Sequence, residues 1–324
     1  MSTSIKLPLA LQDRLRCPIC GARLVLAGEQ MVCTHADSPH SFPVMDGVPV
    51  LINETRSVFT IADFACRQAT YFDLSPAGRA VAAVDHLLPS FHRDGKKKQN
   101  LARFARLLTR QSTSPKILVI GGSILGPGMK EVMRLFPTLQ VVHSDVSFGP
   151  QTMVIADAHD IPFDDGSFDG IIVQAVLQAV ADPWRCVEEI HRVLTEDGLV
   201  YAETPFMQQV HGGRYDFTRF THLGHRRLFR RFEEIESGTG QGPGTALAWS
   251  CQYFLLGFAT SKPVRGLIHA FSRLALFYLK YFDLYLGRKP GAFDASSGYF
   301  FLGRKSDQTL ADRDLLQLYR GGLR

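Results

Sequence analysis

Cys17-Pro-Ile-Cys20-Gly is a knuckle: two thiolates separated by two residues can point at one tetrahedral ion, and the glycine lets the turn close. Cys33 follows after twelve intervening residues. His40 is the preferred fourth ligand and His35, two residues beyond Cys33, its competitor. Four protein ligands leave no open position for water, so such a site would be structural. A second constellation begins at the turn Gly121-Gly122-Ser-Ile-Leu-Gly126-Pro-Gly128 and continues with two acids that close apolar runs, Asp145 after Val141-Val142-His-Ser and Asp157 after Val154-Ile-Ala. Glycines that admit a ligand close to the backbone, followed by carboxylates at strand ends, suit a nucleotide-type ligand. A third cluster, His211, Tyr215, Asp216 and Arg219, is dense in groups that could orient or deprotonate a nucleophile.

These groups need a scaffold that collects strand ends on one side. Lys116–Ile120, Val141–Asp145, Val154–Asp157, Phe168–Val173 and Leu199–Ala202 read as five buried strands, and Gly121 to Asp145 is about the length of a strand-helix-strand unit. Asp182-Pro183 reads as a helix start, with Thr195-Glu-Asp-Gly198 as the exit turn. Phe232–Glu236 reads as a sixth strand and Gly298–Lys305 as a seventh. Residues 57–114 read as mostly helical, with Leu101, Phe104, Leu107 and Leu108 at helical spacing over the approach to the cleft. The run Gly95-Lys-Lys-Lys98 is a solvated face or, less simply, a phosphate contact.

The ordered run from Lys116 to Phe206 resembles the class I S-adenosylmethionine-dependent methyltransferases. That resemblance implies an α/β fold: a Rossmann-like, doubly wound, mostly parallel sheet with an antiparallel edge strand at Gly298–Lys305. It implies S-adenosylmethionine held at Gly121, Gly122 and Gly126, with Gly121 and Gly122 supplying the turn and Gly126 or Gly128 giving clearance at the following helix, Asp145 on the ribose hydroxyls, Asp157 and Ala158 at the adenine, and Gln174 at the methionine end. The sequence departs from the family at Val119, where many relatives carry an acid two residues before the first glycine. The front of the chain resembles small zinc-ribbon modules found with certain methyltransferases, through its cysteines and Asp46-Gly-Val-Pro-Val-Leu51; this implies Zn2+ on Cys17, Cys20, Cys33 and His40. Pro205-Phe206, His211 and Asp216-Phe-Thr-Arg-Phe220 are similar to a run in methyltransferases of glycan and lipid-linked sugar metabolism. In that likeness His211, Tyr215, Asp216 and Arg219 form the catalytic group, with His211 as general base. The plainer alternative is that His211 caps the loop while Asp216 and Arg219 pair to hold it.

The implied organisation is a zinc ribbon over 1–55, a helical segment over 56–115, a methyltransferase domain over 116–306 with a helical cap inserted at about 240–297, and a tail over 307–324. A net charge of +5, with 45% hydrophobic and 21% charged residues, describes an ordinary folded chain and excludes a disordered one. No basic segment followed by an apolar run opens the chain, which points to a cytoplasmic setting. Between Trp249 and Leu286 the apolar stretch is broken by Arg273, Lys280 and Asp283, a poor transmembrane span that suits either a cap or a helix in a membrane interface. The expected acceptor is a small molecule, glycan or lipid-linked. Ribosomal or transfer RNA ranks second because no dense basic stripe carries stacking residues, and nothing points to DNA. A non-catalytic scaffold keeping the same fold is the alternative of a different class.

Overall fold

The computed structural model describes residues 4–66 and 87–322. A single helical turn, α1 (Leu9–Gln12), precedes four short strands: β1 (Leu24–Ala27), β2 (Gln30–Cys33), β3 (Ser41–Met45) and β4 (Val48–Leu51). They form an antiparallel meander up to β4. Then come α2 (Ile61–Ala65), α3 (Gly95–Gln111), β5 (Lys116–Ile120), α4 (Pro127–Leu135), β6 (Gln140–Asp145), β7 (Val154–Ala156), β8 (Phe168–Gln174), α5 (Pro183–Val193) and β9 (Leu194–Pro205). Next come α6 (His222–Leu228), β10 (Phe232–Gln241), α7 (Pro243–Leu256), α8 (Lys262–Leu276), a series of short helical turns, β11 (Gly298–Lys305) and a last helical turn, α9 (Asp312–Leu315). The helical reading of residues 57–114 includes 67–86, which lie outside the described residues.

The strands make one sheet in the order β1-β2-β3-β4-β7-β6-β5-β8-β9-β11-β10. Neighbours from β4 through β7, β6, β5 and β8 to β9 are parallel, and β11 runs antiparallel to both β9 and β10. One expectation is corrected here: the antiparallel strand is not at the edge. Strand β10 pairs onto its outer side along Phe232–Gln241, five residues beyond the predicted end at Glu236, and so becomes the edge itself.

The ribbon is not set apart from this sheet. All four residues of β4 are buried, as a parallel strand covered on both faces requires, and Val50 and Leu51 pair in parallel with Ile155 and Ala156 of β7. The front module therefore extends the central sheet and presents its exit, from Asn53 onward, to the strand ends.

Alternation along the strands explains the layering. Ile117 and Val119 of β5 face one core with Leu101, Phe104 and Leu108 of α3 and Met129 and Val132 of α4, while Leu118 and Ile120 face the other with Val187 and Ile190 of α5 and Phe229. Val119, where relatives carry an acid, is thus a packing residue on the α3 side. The three lysines that open α3 all approach carboxylates: Lys96 to Glu236 at 2.9 Å, Lys98 to Glu131 at 3.3 Å and Lys97 to Glu203 at 3.9 Å. Helix α3 covers a face of the sheet; only its N-terminal end reaches the cleft.

Two histidines on α6 set an acid limit on stability. His222 and His225 are 6% and 2% exposed, and burial pushes their pKa values down to about 4 and about 3. Unfolding returns them to about 6.5, so the unfolded chain binds more protons below that pH. Stability is expected to hold above about pH 6.5 and to fall as the pH drops toward 4, by at most about 1.4 kcal/mol per pH unit for each histidine. Urea midpoints at pH 7, 6 and 5 read this directly. His225→Phe, which suits neighbours Phe229 and Phe301, is expected to flatten the slope.

Candidate functional site

At the C-terminal ends of β5, β6, β7 and β8 lies a cavity of about 320 Å³ lined by Gly121, Asp145, Asp157, Ala158 and Gln174 among others. This is where an open α/β sheet binds ligands. The turn after β5 that forms its floor depends on glycine. Gly121 has φ +73°, and a Cβ there would stand 2.4 Å from Val176 Cγ2; a Cβ on Gly122 would meet His143 Nδ1 at 2.7 Å. Both amides donate to the Ser144 carbonyl, at 2.9 and 3.0 Å.

Gly122 and Gly126 do not line the cavity, contrary to expectation. Gly122 is packed behind the floor, and Gly126 is the residue before Pro127 at the start of α4, with only Lys97 Nζ near its missing Cβ. Of the two glycines that could give clearance at the helix, Gly128 makes the close approach: its Cβ would sit 2.8 Å from Leu101.

The two acids differ in environment. Asp145 is 5% exposed and accepts from the Ser123 amide at 2.8 Å; burial raises its pKa, partly opposed by the Ser123, Val146 and Ser147 amides. Asp157 is also buried, but hydrogen bonds from His159 and Ser57 outweigh that burial and hold its carboxyl below the usual range. His159 Nε2 accepts from the Asp182 amide at 3.0 Å, so the ring proton sits on Nδ1, 2.5 Å from Asp157 Oδ1. The Ser57 hydroxyl donates to the other oxygen at 2.5 Å. Ser57, Val58 and Phe59 come from the ribbon's exit, and Phe59 stacks on Tyr215 with ring centroids 5.5 Å apart.

His211 and Ala175 line this cavity and also a second one, of about 410 Å³, walled by His92, Lys97, Glu203, Gln241, Trp249 and Tyr299 with others. Ala175 has φ +53°, a conformation that costs a non-glycine residue about 1 kcal/mol or more and gathers at functional sites. Its amide is held by the Glu203 carbonyl at 2.9 Å. Beside it, Gln174 Nε2 donates to Glu203 Oε2 at 2.9 Å, which joins the rims of the two cavities.

The loop that carries His211 is clamped from within. Arg219 pairs with both oxygens of Asp216 and donates to the carbonyls of Gln208 and Gln209, while Asp216 accepts from the amides of His211 and Gly212. Burial would raise the Asp216 pKa, but Arg219 and those amides hold it far below the carboxylate range. Neither Asp216 nor Arg219 lines either cavity. The catalytic expectation for these two is therefore corrected, because their charges are spent on each other and on the backbone. Tyr215 faces the first cavity, with its hydroxyl taken by Arg214 at 2.7 Å. His211 Nδ1 lies 3.1 Å from the Gln209 carbonyl, which can only accept, so Nδ1 carries a proton and the neutral ring has its lone pair on Nε2.

At the front, one ligand atom each from Cys17, Cys20, Cys33 and His40 lies within 4.8 Å of every other. The Cys17 and Cys33 sulfurs are each 3.6 Å from His40 Nδ1, and Cys20 and Cys33 are 3.9 Å apart. Bonds of about 2.3 Å to sulfur and 2.0–2.1 Å to nitrogen around a tetrahedral ion give edges of about 3.5–3.8 Å, so the donors fit zinc. His35 is outside the group; its Nδ1 accepts from the Ser38 amide. The knuckle is tied to the first cavity: the Pro18 carbonyl accepts from Asn53 Nδ2 at 3.1 Å, the Asn53 carbonyl accepts from the Ser57 amide at 2.9 Å, and Ser57 reaches Asp157.

Residues 126–202 match the family described as Methyltransferase domain. That match spans about a quarter of the chain and lies within the parallel sheet. The domain is of the class I S-adenosylmethionine-dependent methyltransferase type. The chain is 34% identical over 89 residues to the ubiquinone/menaquinone biosynthesis C-methyltransferase UbiE of Citrifermentans bemidjiense, a match covering 28% of this chain and 36% of that protein. The chain thus spans about a third of that curated relative. Among solved structures, phosphoethanolamine N-methyltransferase 2 of Haemonchus contortus with S-adenosyl-L-methionine aligns with a TM-score of 0.43 and 16% identity, over 64% of this chain and 53% of that one. The [4+2]-cyclase SpnF aligns with a TM-score of 0.38 and 16% identity, over 63% and 80%.

His159, Ser57, Phe59, Ala175, His92, Glu203 and Trp249 are site residues that sequence reasoning does not single out. His159 has a signal, since it lies two residues after Asp157; Ser57 and Trp249 have none, because only the fold brings them in.

Proposed function

We propose that the chain transfers a methyl group from S-adenosylmethionine to a small acceptor bearing a hydroxyl or comparable polar group. The observation that carries this reading is that Gly121, Asp145 and Asp157 line one cavity, which shares His211 and Ala175 with a second. Asp145 would accept from the ribose hydroxyls, Asp157 and the Ala158 amide would meet the adenine, and Gln174 would border the methionine end. When bound, S-adenosylmethionine supplies an electrophilic methyl group on its sulfonium. The acceptor would occupy the second cavity, where Trp249 and Tyr299 give flat faces beside Glu203, Lys97 and Gln241. Aromatic faces mixed with hydrogen-bonding side chains support a glycan or lipid-linked acceptor over a plain apolar one.

His211 would take the acceptor's proton on Nε2, with Nδ1 fixed by the Gln209 carbonyl and that carbonyl fixed by Arg219. Arg219 and Asp216 are positioning residues in this scheme, and orientation supplies much of the acceleration. Zinc, held by Cys17, Cys20, Cys33 and His40, would be structural; metal analysis is expected to find about one zinc per chain.

Labelled methyl donor incubated with cell extract and protein identifies the acceptor by mass spectrometry. With that acceptor, His211→Ala is expected to lower kcat by about 10²–10⁴-fold, the usual share of general acid–base catalysis, with donor affinity unchanged. Retained turnover would remove His211 from the proton transfer.

A further inference from the structure

Helix α8 is built inside out. Its buried side includes Ser272, fully buried, whereas Val264, Leu267, Phe271, Leu274 and, one turn on, Tyr278 recur at helical spacing on the side left open, with Leu267 71% and Phe271 63% exposed. Neighbouring turns continue the patch with Tyr281, Phe282, Leu284 and Tyr285, and the end of α7 adds Phe254 and Phe258, 73% exposed. Exposed apolar side chains gathered on neighbouring elements in this way mark an interaction site.

Charge says what covers it. Between Pro243 and Phe293 the sequence has six basic residues and one acid, Asp283. That acid is turned away from the patch: its carboxylate accepts from the amides of Gly242, Gly244 and Thr245 and from the Thr245 hydroxyl, at the start of α7. Lys262 and Arg265 are exposed at one end of the stripe, and Arg288 and Lys289 at the other. Two such faces from two copies would bring like charges together. Among the described residues, no helix is long and apolar enough to cross a membrane.

We propose that the α7–α8 surface docks in the interface of an anionic lipid bilayer, with Leu267 and Phe271 among the acyl chains and the flanking lysines and arginines on the headgroups. The inference uses no residue of either cavity and stands apart from the methyl-transfer reading.

Vesicle flotation of the full chain tests it, with phosphatidylcholine alone and with phosphatidylcholine plus phosphatidylglycerol. The chain is expected to float with the phosphatidylglycerol vesicles and to be released as salt is raised. The doubly substituted Leu267→Ser, Phe271→Ser protein, with thermal unfolding checked against the parent, is expected to lose at least about tenfold in partitioning, because membrane affinity scales with buried apolar area. Lys262→Glu with Arg265→Glu is expected to lose the preference for phosphatidylglycerol, and it keeps the test open should the serine protein fail to fold. The proposal is overturned if the parent chain stays below the phosphatidylglycerol vesicles at low salt, or if both substituted proteins float as the parent does. It is equally overturned if sedimentation shows a dimer that the serine substitutions abolish while vesicles are ignored, since the occupant is then a second copy.

Discussion

Stripping the metal with a chelator, or replacing Cys20 by Ser, is expected to weaken S-adenosylmethionine binding although no cysteine touches the nucleotide cavity. The path runs from the knuckle through the Pro18 carbonyl to Asn53, from Asn53 to Ser57, and from Ser57 to the Asp157 carboxylate. Structural zinc contributes on the order of 10 kcal/mol to folding small modules, far more than four short strands supply alone. Its loss would release β4, which borders β7, and with β4 the segment that carries Val58 and Phe59 into the cavity wall and Ser57 to Asp157. A hydrogen bond to a charged group contributes about 1.5–3 kcal/mol to holding the wall in place, so where donor binding needs that geometry the loss of the Ser57 bond weakens donor affinity by up to roughly 10–100-fold. Calorimetry before and after chelation, with a thermal melt showing that the central domain remains folded, reads the effect. Equal affinity in the folded, zinc-free protein would break the link.

The second large effect is expected at the carboxylates. Asp145→Asn keeps the size of the side chain but replaces one acceptor oxygen by an amide that can only donate, so a diol loses a partner while the Ser123 amide can keep its own. Donor affinity is expected to fall about 10–100-fold, with thermal stability little changed, since the substitution removes one charge-assisted contact. Asp157→Ala should do more: besides its own contact, it removes the partner of His159 Nδ1 and Ser57, and so loosens the wall. The order of severity is itself a check, because a pocket that ignored Asp157 would rank the two substitutions the other way.

Much of the fold and of the first cavity's lining is legible in the sequence because strand periodicity and terminal acids are local signals. Lys116–Ile120 and Gln140–Asp145 are short apolar runs flanked by turn residues, and their register follows from which face is buried. The knuckle with Cys33 is likewise local, but between His40 and His35 the sequence leaves the choice open, and the spatial cluster holds His40. What the chain does not disclose is long-range. No pattern in Val48–Leu51 says that it will lie beside Val154–Ala156, about a hundred residues away, rather than close a separate module. The helix-start glycines Gly126 and Gly128 look alike in sequence, and only the approach of α3 distinguishes the one under Leu101. Asp216 and Arg219 carry the right groups for catalysis, yet three residues apart in a tight loop they are close enough to satisfy one another. Ala175 gives no warning because an alanine with positive φ is imposed by its surroundings and not by its type.

The most direct test is calorimetric titration of the intact, zinc-loaded chain with S-adenosylmethionine, followed by a crystal structure of the complex. Saturable one-to-one binding is expected, with the ribose on Asp145, the adenine beside Asp157 and Ala158, and the sulfonium end facing His211. No heat at saturating donor, or a donor seated away from the Gly121 turn, would contradict the assignment of this cavity and every role built upon it.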